Sequence, residues 1–177
     1  MKVLAETERL LLRELTSADA AGMFELDSDP EVHRFLGNRP VRTLAQSAAV
    51  IEFVRQQYQT NGIGRWAVEL RATGEFLGWA GLKLVQEPLN GHVGFHDVGY
   101  RFIRRFWGRG FATEAARASV AYGFKVLHLP ALYATADLRN LASRAVLGKV
   151  GFRQVSEFDY EGVPTAWLEA RSPHRQA

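Results

Sequence analysis

The chain has 177 residues, 47% hydrophobic and 23% charged, the composition of a soluble globular protein that fits one domain over residues 1–177. A net charge of +3 is too small to argue for nucleic acid, and the lack of cysteine excludes disulfides, thiolate metal sites and a cysteine nucleophile. Acids enter at Glu6 and Glu8, before a secretory apolar core has room to form, and no apolar run approaches the ~18 residues that span a bilayer, so a cytoplasmic protein with no membrane partner is expected.

In chain order, the short leucine-rich run Arg9 to Leu15 reads as a first strand. Ser17-Ala18-Asp19 offers caps for a helix to about Asp27, closed by Asp29-Pro30. From Thr43 to Gln59 the apolar residues Leu44, Ala48, Ile51, Val54 and Tyr58 keep a helical period, and Asn61-Gly62 ends it. Arg65 to Leu70 and Phe76 to Val85 read as strands joined by a turn at Ala72-Thr73-Gly74-Glu75. Pro88-Leu89-Asn90-Gly91 turns the chain into a strand from about Val93 to Ile103. The alanine-rich stretch Phe111 to Val126 carries Phe111, Ala115, Ser119, Tyr122 and Val126 on one helical face. A short buried strand over Leu132 to Ala136 follows, then a helix capped by Asn140 and running to Lys149, with Gly151 as its stop. Two last strands, Phe152 to Tyr160 and Thr165 to Arg171, are separated by Glu161-Gly162. The order β-α-α-β-β-β-α-β-α-β-β predicts an α/β sandwich around one mixed, mostly antiparallel sheet.

Histidines do not read as a metal site. His92 and His96 would share a face of a helix, but in a run of strand character they stand about 13 Å apart at ~3.3 Å per residue. His33, His128 and His174 are scattered.

Asp97 to Glu114 carries the chemistry. An extended apolar run, Asp97-Val98-Gly99-Tyr100-Arg101-Phe102-Ile103, leads into the basic loop Arg104-Arg105-Phe106-Trp107-Gly108-Arg109-Gly110 and then the helix opening Phe111-Ala112-Thr113-Glu114. Glycines that let the backbone approach closely, followed by a helix N-terminus, form a site for an anion such as a pyrophosphate. Arg104, Arg105 and Arg109 add long-range attraction, and Thr113 either reaches a phosphate or caps the helix locally. The loop is not a dinucleotide fingerprint, since the third small position is Thr113 and no acid follows about 20 residues on. No G-x-x-x-x-G-K-[ST] phosphate loop occurs anywhere.

The spacing Arg105-x-x-Gly108-x-Gly110 resembles the signature of the GNAT superfamily of N-acetyltransferases, which bind acetyl-CoA there. Trp107-Gly108-Arg109-Gly110-Phe111-Ala112-Thr113-Glu114-Ala115, with Thr7 to Arg13 and the block Asn140 to Phe152, is similar to the branch that acetylates ribosomal-protein N-termini. The resemblance covers nearly the whole chain and implies direct acetyl transfer from acetyl-CoA, without a metal or a covalent enzyme intermediate. It implies that a strand N–H around Phe102 or Ile103 polarises the thioester carbonyl. Asn140 lies beside the pantetheine arm, caps its helix, or does both. Ser143 donates a proton to the leaving thiolate unless it is only a packing serine. Asp97 holds the place of a family glutamate, one methylene shorter; it assists amine deprotonation, directly or through water, or is a structural acid. Phe35, Trp66, Trp79, Tyr160 and Trp167 are core residues or walls of the acceptor cleft. The acceptor implied first is a protein N-terminal α-amine. Small amines (an amino acid, polyamine or aminoglycoside) and a non-catalytic acyl-CoA-binding role remain alternatives, and a homodimer is compatible with either.

Overall fold

The computed structural model describes residues 1–173. Eight strands are β1 (Val3–Glu6), β2 (Leu10–Glu14), β3 (Arg65–Leu70), β4 (Glu75–Val85), β5 (Phe95–Phe102), β6 (Ala131–Asp137), β7 (Arg153–Tyr160) and β8 (Val163–Arg171). The helices are α1 (Ala20–Ser28), α2 (Leu44–Asn61), α3 (Phe111–Lys125) and α4 (Leu141–Lys149). The strands form one mixed sheet in the order β1-β2-β3-β4-β5-β6-β8-β7, antiparallel throughout except where β5 meets β6. The architecture is the expected α/β sandwich with one strand added at the front. β1 pairs with β2 through a tight turn in which Thr7 N–H donates to Leu10 O at 2.9 Å. Four residues, Val-Leu-Ala-Glu, are too few to show an alternating pattern.

Local chemistry sets the helix ends. Gln46 N–H donates to Thr43 Oγ1 at 3.3 Å, and Thr43 N–H donates back to Gln46 Oε1 at 3.1 Å, a reciprocal cap at the start of α2. Gly62, left-handed at φ +69°, ends it. Before α1 the chain makes a 3₁₀ turn over Ser17–Asp19, so the helix begins at Ala20 rather than at its cap-like serine.

The two sheet faces are separated by strand alternation. On β5, Arg101 reaches Asp27 of α1, while its neighbour Tyr100 reaches Ser143 of α4. α1 therefore lies on one face, and α3 and α4 on the other. Trp66 is only 1% exposed and meets Tyr122 of α3 edge-on at 5.0 Å, so it is core on the α3 side and no cleft wall. Trp167 is equally buried, beneath His92, which stacks on it at 4.6 Å. His92 therefore lies outside β5 as an aromatic packing partner. Among the described residues no cluster of three or more potential ligands could hold a metal, and no helix is long and apolar enough to cross a membrane. His174 lies outside the described residues.

A buried ion network ties β2 to the entry of α1. Arg13 grips Asp19 with two bonds of 2.8 and 2.6 Å and donates from Nε to Glu69 at 2.9 Å. Burial pushes the Asp19 carboxyl up, but the Arg13 bonds and the Thr16 N–H outweigh it and hold it below its usual range. A depressed carboxyl stabilises the fold above its unfolded value near ~3.9 and loses that contribution as pH falls below it. Arg13→Met, which leaves two carboxylates without their cation, should cost about 3–5 kcal/mol in urea unfolding. Acidification below about pH 4 should erode the stability of the native chain more steeply than that of the variant.

Candidate active site

After β5 the chain makes a 3₁₀ turn over Arg104–Phe106, buries Phe106, and reaches α3 through Gly108 and Gly110, at φ +74° and +80°. Both conformations are ones that side chains resist. No side chain caps α3, and its first intrahelical bond is Glu114 N–H to Gly110 O at 3.1 Å. The N–H groups of Gly110, Phe111, Ala112 and Thr113 thus precede any i−4 acceptor, at the positive end of a 15-residue helix. Thr113 stands in the first turn of α3.

This loop is held from behind. Glu114 accepts from Thr7 Oγ1 at 2.6 Å, Arg9 N–H at 3.0 Å and Arg9 Nε at 2.7 Å. Burial pushes the Glu114 carboxyl up, but these donors prevail and keep it below its usual range. Arg9 also donates to Arg109 O at 3.0 Å and lies over the Phe111 ring at 4.6 Å. The arginine ties the loop carbonyl back and offsets the one acid in the first turn of α3. Of the three expected loop cations, Arg105 is engaged elsewhere, bonded to Glu25 and Glu75 at 2.8 Å each. Arg104 and Arg109 are exposed and form no ion pair among the described residues.

β5 and β6 touch at one bridge, Asp97 to Tyr133, and part beyond it. Ile103 N–H donates to Leu77 O at 2.9 Å, on the β4 side, so it is not available to a thioester. The alternation of an antiparallel ladder then turns the N–H groups of Tyr100 and Phe102 toward the gap. Phe102 O also faces away from β4 and accepts from Trp107 Nε1 at 2.8 Å. Of the two expected donors, Phe102 has the right orientation.

Across the gap, Asn140 Oδ1 accepts Ser143 N–H at 3.1 Å and caps α4. Ser143 lies in the first turn, where Tyr100 Oη donates to its carbonyl at 2.8 Å and lies 3.1 Å from its Oγ. Sequence reasoning passed over Tyr100. The signal available was alternation: residues 98, 100 and 102 point to the face opposite Asp97.

On that opposite face, Asp97 is paired through Oδ2 with Arg65 Nη2, the two side chains 17% and 12% exposed. Arg65 Nη1 also donates to Gly81 O at 2.5 Å and Asp97 O at 2.8 Å. Its guanidinium sits where a Cβ on Gly99 would stand, 2.6 Å from Nη2. Trp79 lies beneath both Arg65 and Arg101, with ring-to-cation distances of 5.4 and 5.1 Å. Arg101 holds Asp27 at 2.5 Å, and Arg139 holds Asp137 at 2.6 Å while reaching to 5.9 Å from Phe35. Tyr160 is half exposed at the β7–β8 turn. Asp97 and Ser143 thus stand on opposite faces of the sheet.

Removing Arg9 should free the loop carbonyl and leave Glu114 uncompensated within one turn of the anion site. Arg9→Ala should weaken coenzyme A binding about tenfold in calorimetry, and Gly110→Asp, which adds a charge and a side chain at φ +80°, should abolish it. Unchanged affinity in a folded Gly110→Asp variant would move the anion site elsewhere.

Residues 9–153 match the model of the acetyltransferase (GNAT) domain. The N-acetyltransferase YoaA of Bacillus subtilis (strain 168) is 33% identical over 149 residues, covering 84% of this chain and 82% of its own. The structure of RimL, a ribosomal alpha-N-protein acetyltransferase in complex with coenzyme A, superposes with a TM-score of 0.81 at 14% identity, over 97% of this chain and 98% of its own. Spermidine N-acetyltransferase from Vibrio cholerae, with coenzyme A and spermine, gives 0.74 at 16% identity, over 94% and 97%. These two likenesses share the fold, whereas the family model and the Bacillus relative establish descent: the chain belongs to the GNAT acetyltransferase family and is an acetyl-CoA-dependent N-acyltransferase.

Proposed function

We propose that the protein acetylates a primary amine of low basicity by direct transfer from acetyl-CoA, with a protein N-terminal α-amine as its first acceptor class. Under this reading the pyrophosphate rests on the N–H groups from Gly108 to Thr113, the pantetheine arm runs past Asn140, and Phe102 N–H receives the thioester oxygen. Ser143 faces the departing sulfur. The cytoplasm is taken as the site of action.

The Arg65–Asp97 pair carries the choice of acceptor. Arg65 Nη2 donates to Asp97 Oδ2 and holds the carboxylate in place on β5. Asp97 assists amine deprotonation through a water bonded to that carboxylate. It also lies three residues from Tyr100, about 10 Å along the strand, so water connects it to the amine. An amine served this way must lose its proton readily. An α-amine is roughly a tenth neutral at pH 7, whereas a lysine is about 0.04% neutral. A polyamine would need spare carboxylates for its other charges. Asp27, Asp97 and Asp137 on this side each already hold an arginine.

Asp97→Asn should lower turnover about 10²-fold near pH 7 and recover as pH passes the acceptor's own pKa, near 8 for an α-amine and near 10 for a lysine-like amine. The measurement is initial rate against pH with acetyl-CoA and a peptide panel, beside spermidine. A defect that does not vary with pH would make Asp97 structural, and a higher kcat/KM for spermidine than for any peptide would overturn the acceptor class.

A further inference from the structure

We propose that Tyr100 is a positioning residue for thioester cleavage, setting the Ser143 hydroxyl on the coenzyme A sulfur from across the gap between β5 and β6. The inference rests on the reading in which Ser143 faces that sulfur. A serine in the first turn of a helix normally turns its hydroxyl among several rotamers and bonds to nearby backbone. Here the Tyr100 hydroxyl donates to Ser143 O at 2.8 Å and stands 3.1 Å from Ser143 Oγ, a contact in which either oxygen can be the donor. When Ser143 Oγ–H turns to the sulfur, the phenol turns its one proton from the carbonyl to Oγ, and the bond behind the serine raises its donor strength. The resulting chain runs Tyr100 O–H to Ser143 Oγ–H to sulfur. It joins a rigid strand to the helix that follows β6.

Burial pushes the Tyr100 phenol up to about 12, so it stays protonated and remains a donor. Full transfer of its proton to a thiolate of ordinary pKa near 8.5 would be uphill by about three thousandfold. The balanced step therefore moves no proton within the dyad. The neutral amine nitrogen bonds to the thioester carbon and loses a proton to water, the C–S bond breaks with its electron pair on sulfur, and two hydrogen bonds in series stabilise the thiolate until solvent protonates it. Ser143 then stabilises charge rather than acting as an acid in the strict sense.

The test is a double-variant cycle in single turnover, with acetyl-CoA and a peptide α-amine. Tyr100→Phe keeps the ring and removes the donor. It should slow acetyl transfer about tenfold while leaving the KM for acetyl-CoA within about twofold, since the interaction forms in the transition state. Ser143→Ala should be at least as slow, and the double variant should be no slower than Ser143→Ala alone, because Tyr100 acts through Ser143. Multiplying defects, or a change in KM without a change in rate, would make Tyr100 a structural pin. A slow Ser143→Ala beside a normal Tyr100→Phe overturns Tyr100 alone. A silent Ser143→Ala overturns the assignment of Ser143 and Tyr100 with it. Should Tyr100→Phe melt lower, the rates are taken well below every variant's melting temperature, where all are folded, and the cycle still decides.

Discussion

Strands that stay paired have no spare N–H groups to offer a ligand, and every functional feature of this chain depends on one place where pairing stops. β5 and β6 bridge only at Asp97 and Tyr133. This contact is the one parallel junction in the sheet, and between its two strands the chain crosses over through α3. The crossover allows the strands to diverge, and divergence leaves Phe102 N–H pointing away from β4 without a partner on β6. The same crossover begins at the loop whose glycines expose the N-terminus of α3. A carbonyl donor and an anion cradle are thus consequences of one topological choice, as in other α/β sheets that bind ligands where the strands part.

The gap also solves a problem of access. Asp97 and Arg65 stand on the α1 side and Ser143 and Tyr100 on the α4 side, so a thioester in the gap meets each group from its own face. Gly99 is the residue that makes the first side workable. Any side chain there would occupy the position of the Arg65 guanidinium and separate it from Asp97. A rule learned from loops, that glycine marks a turn, does not apply here, since Gly99 lies in mid-strand and serves a close approach.

What the sequence revealed, and what it hid, divides along a physical line. Elements defined by local chemistry were legible: the α2 cap at Thr43, the stop at Gly62, the strand Arg65–Leu70, and the glycine loop before Phe111. The edge strand β1 was not, because four residues carry no period. Groups whose role depends on a distant partner were less legible. Arg105 reads as one of three loop cations, and its ion pairs with Glu25 and Glu75 come from elsewhere in the chain. Ile103 looked as good a donor as Phe102, and only the identity of its partner, Leu77 O, separates them. Trp66 read as core or cleft wall, and strand register, which sends it to the α3 face, makes it core. Tyr100 lay inside the quoted motif unweighed, since its value comes from Ser143, 43 residues away.

One apparent conflict in the electrostatics resolves at the same level. An acid in the first turn of a helix ordinarily stabilises it by about 0.3–1 kcal/mol, yet Glu114 stands where a pyrophosphate would be repelled by it. The chain keeps the acid and turns it outward. Thr7, Arg9 N–H and Arg9 Nε occupy its oxygens, so its charge is matched by a cation whose other end holds Arg109 O. An uncharged residue at 114 would spare the anion this repulsion but leave Arg9, and with it the loop carbonyl, without an anchor. The β1–β2 turn, which looks peripheral in the sheet, therefore holds the loop and first turn that lead into α3.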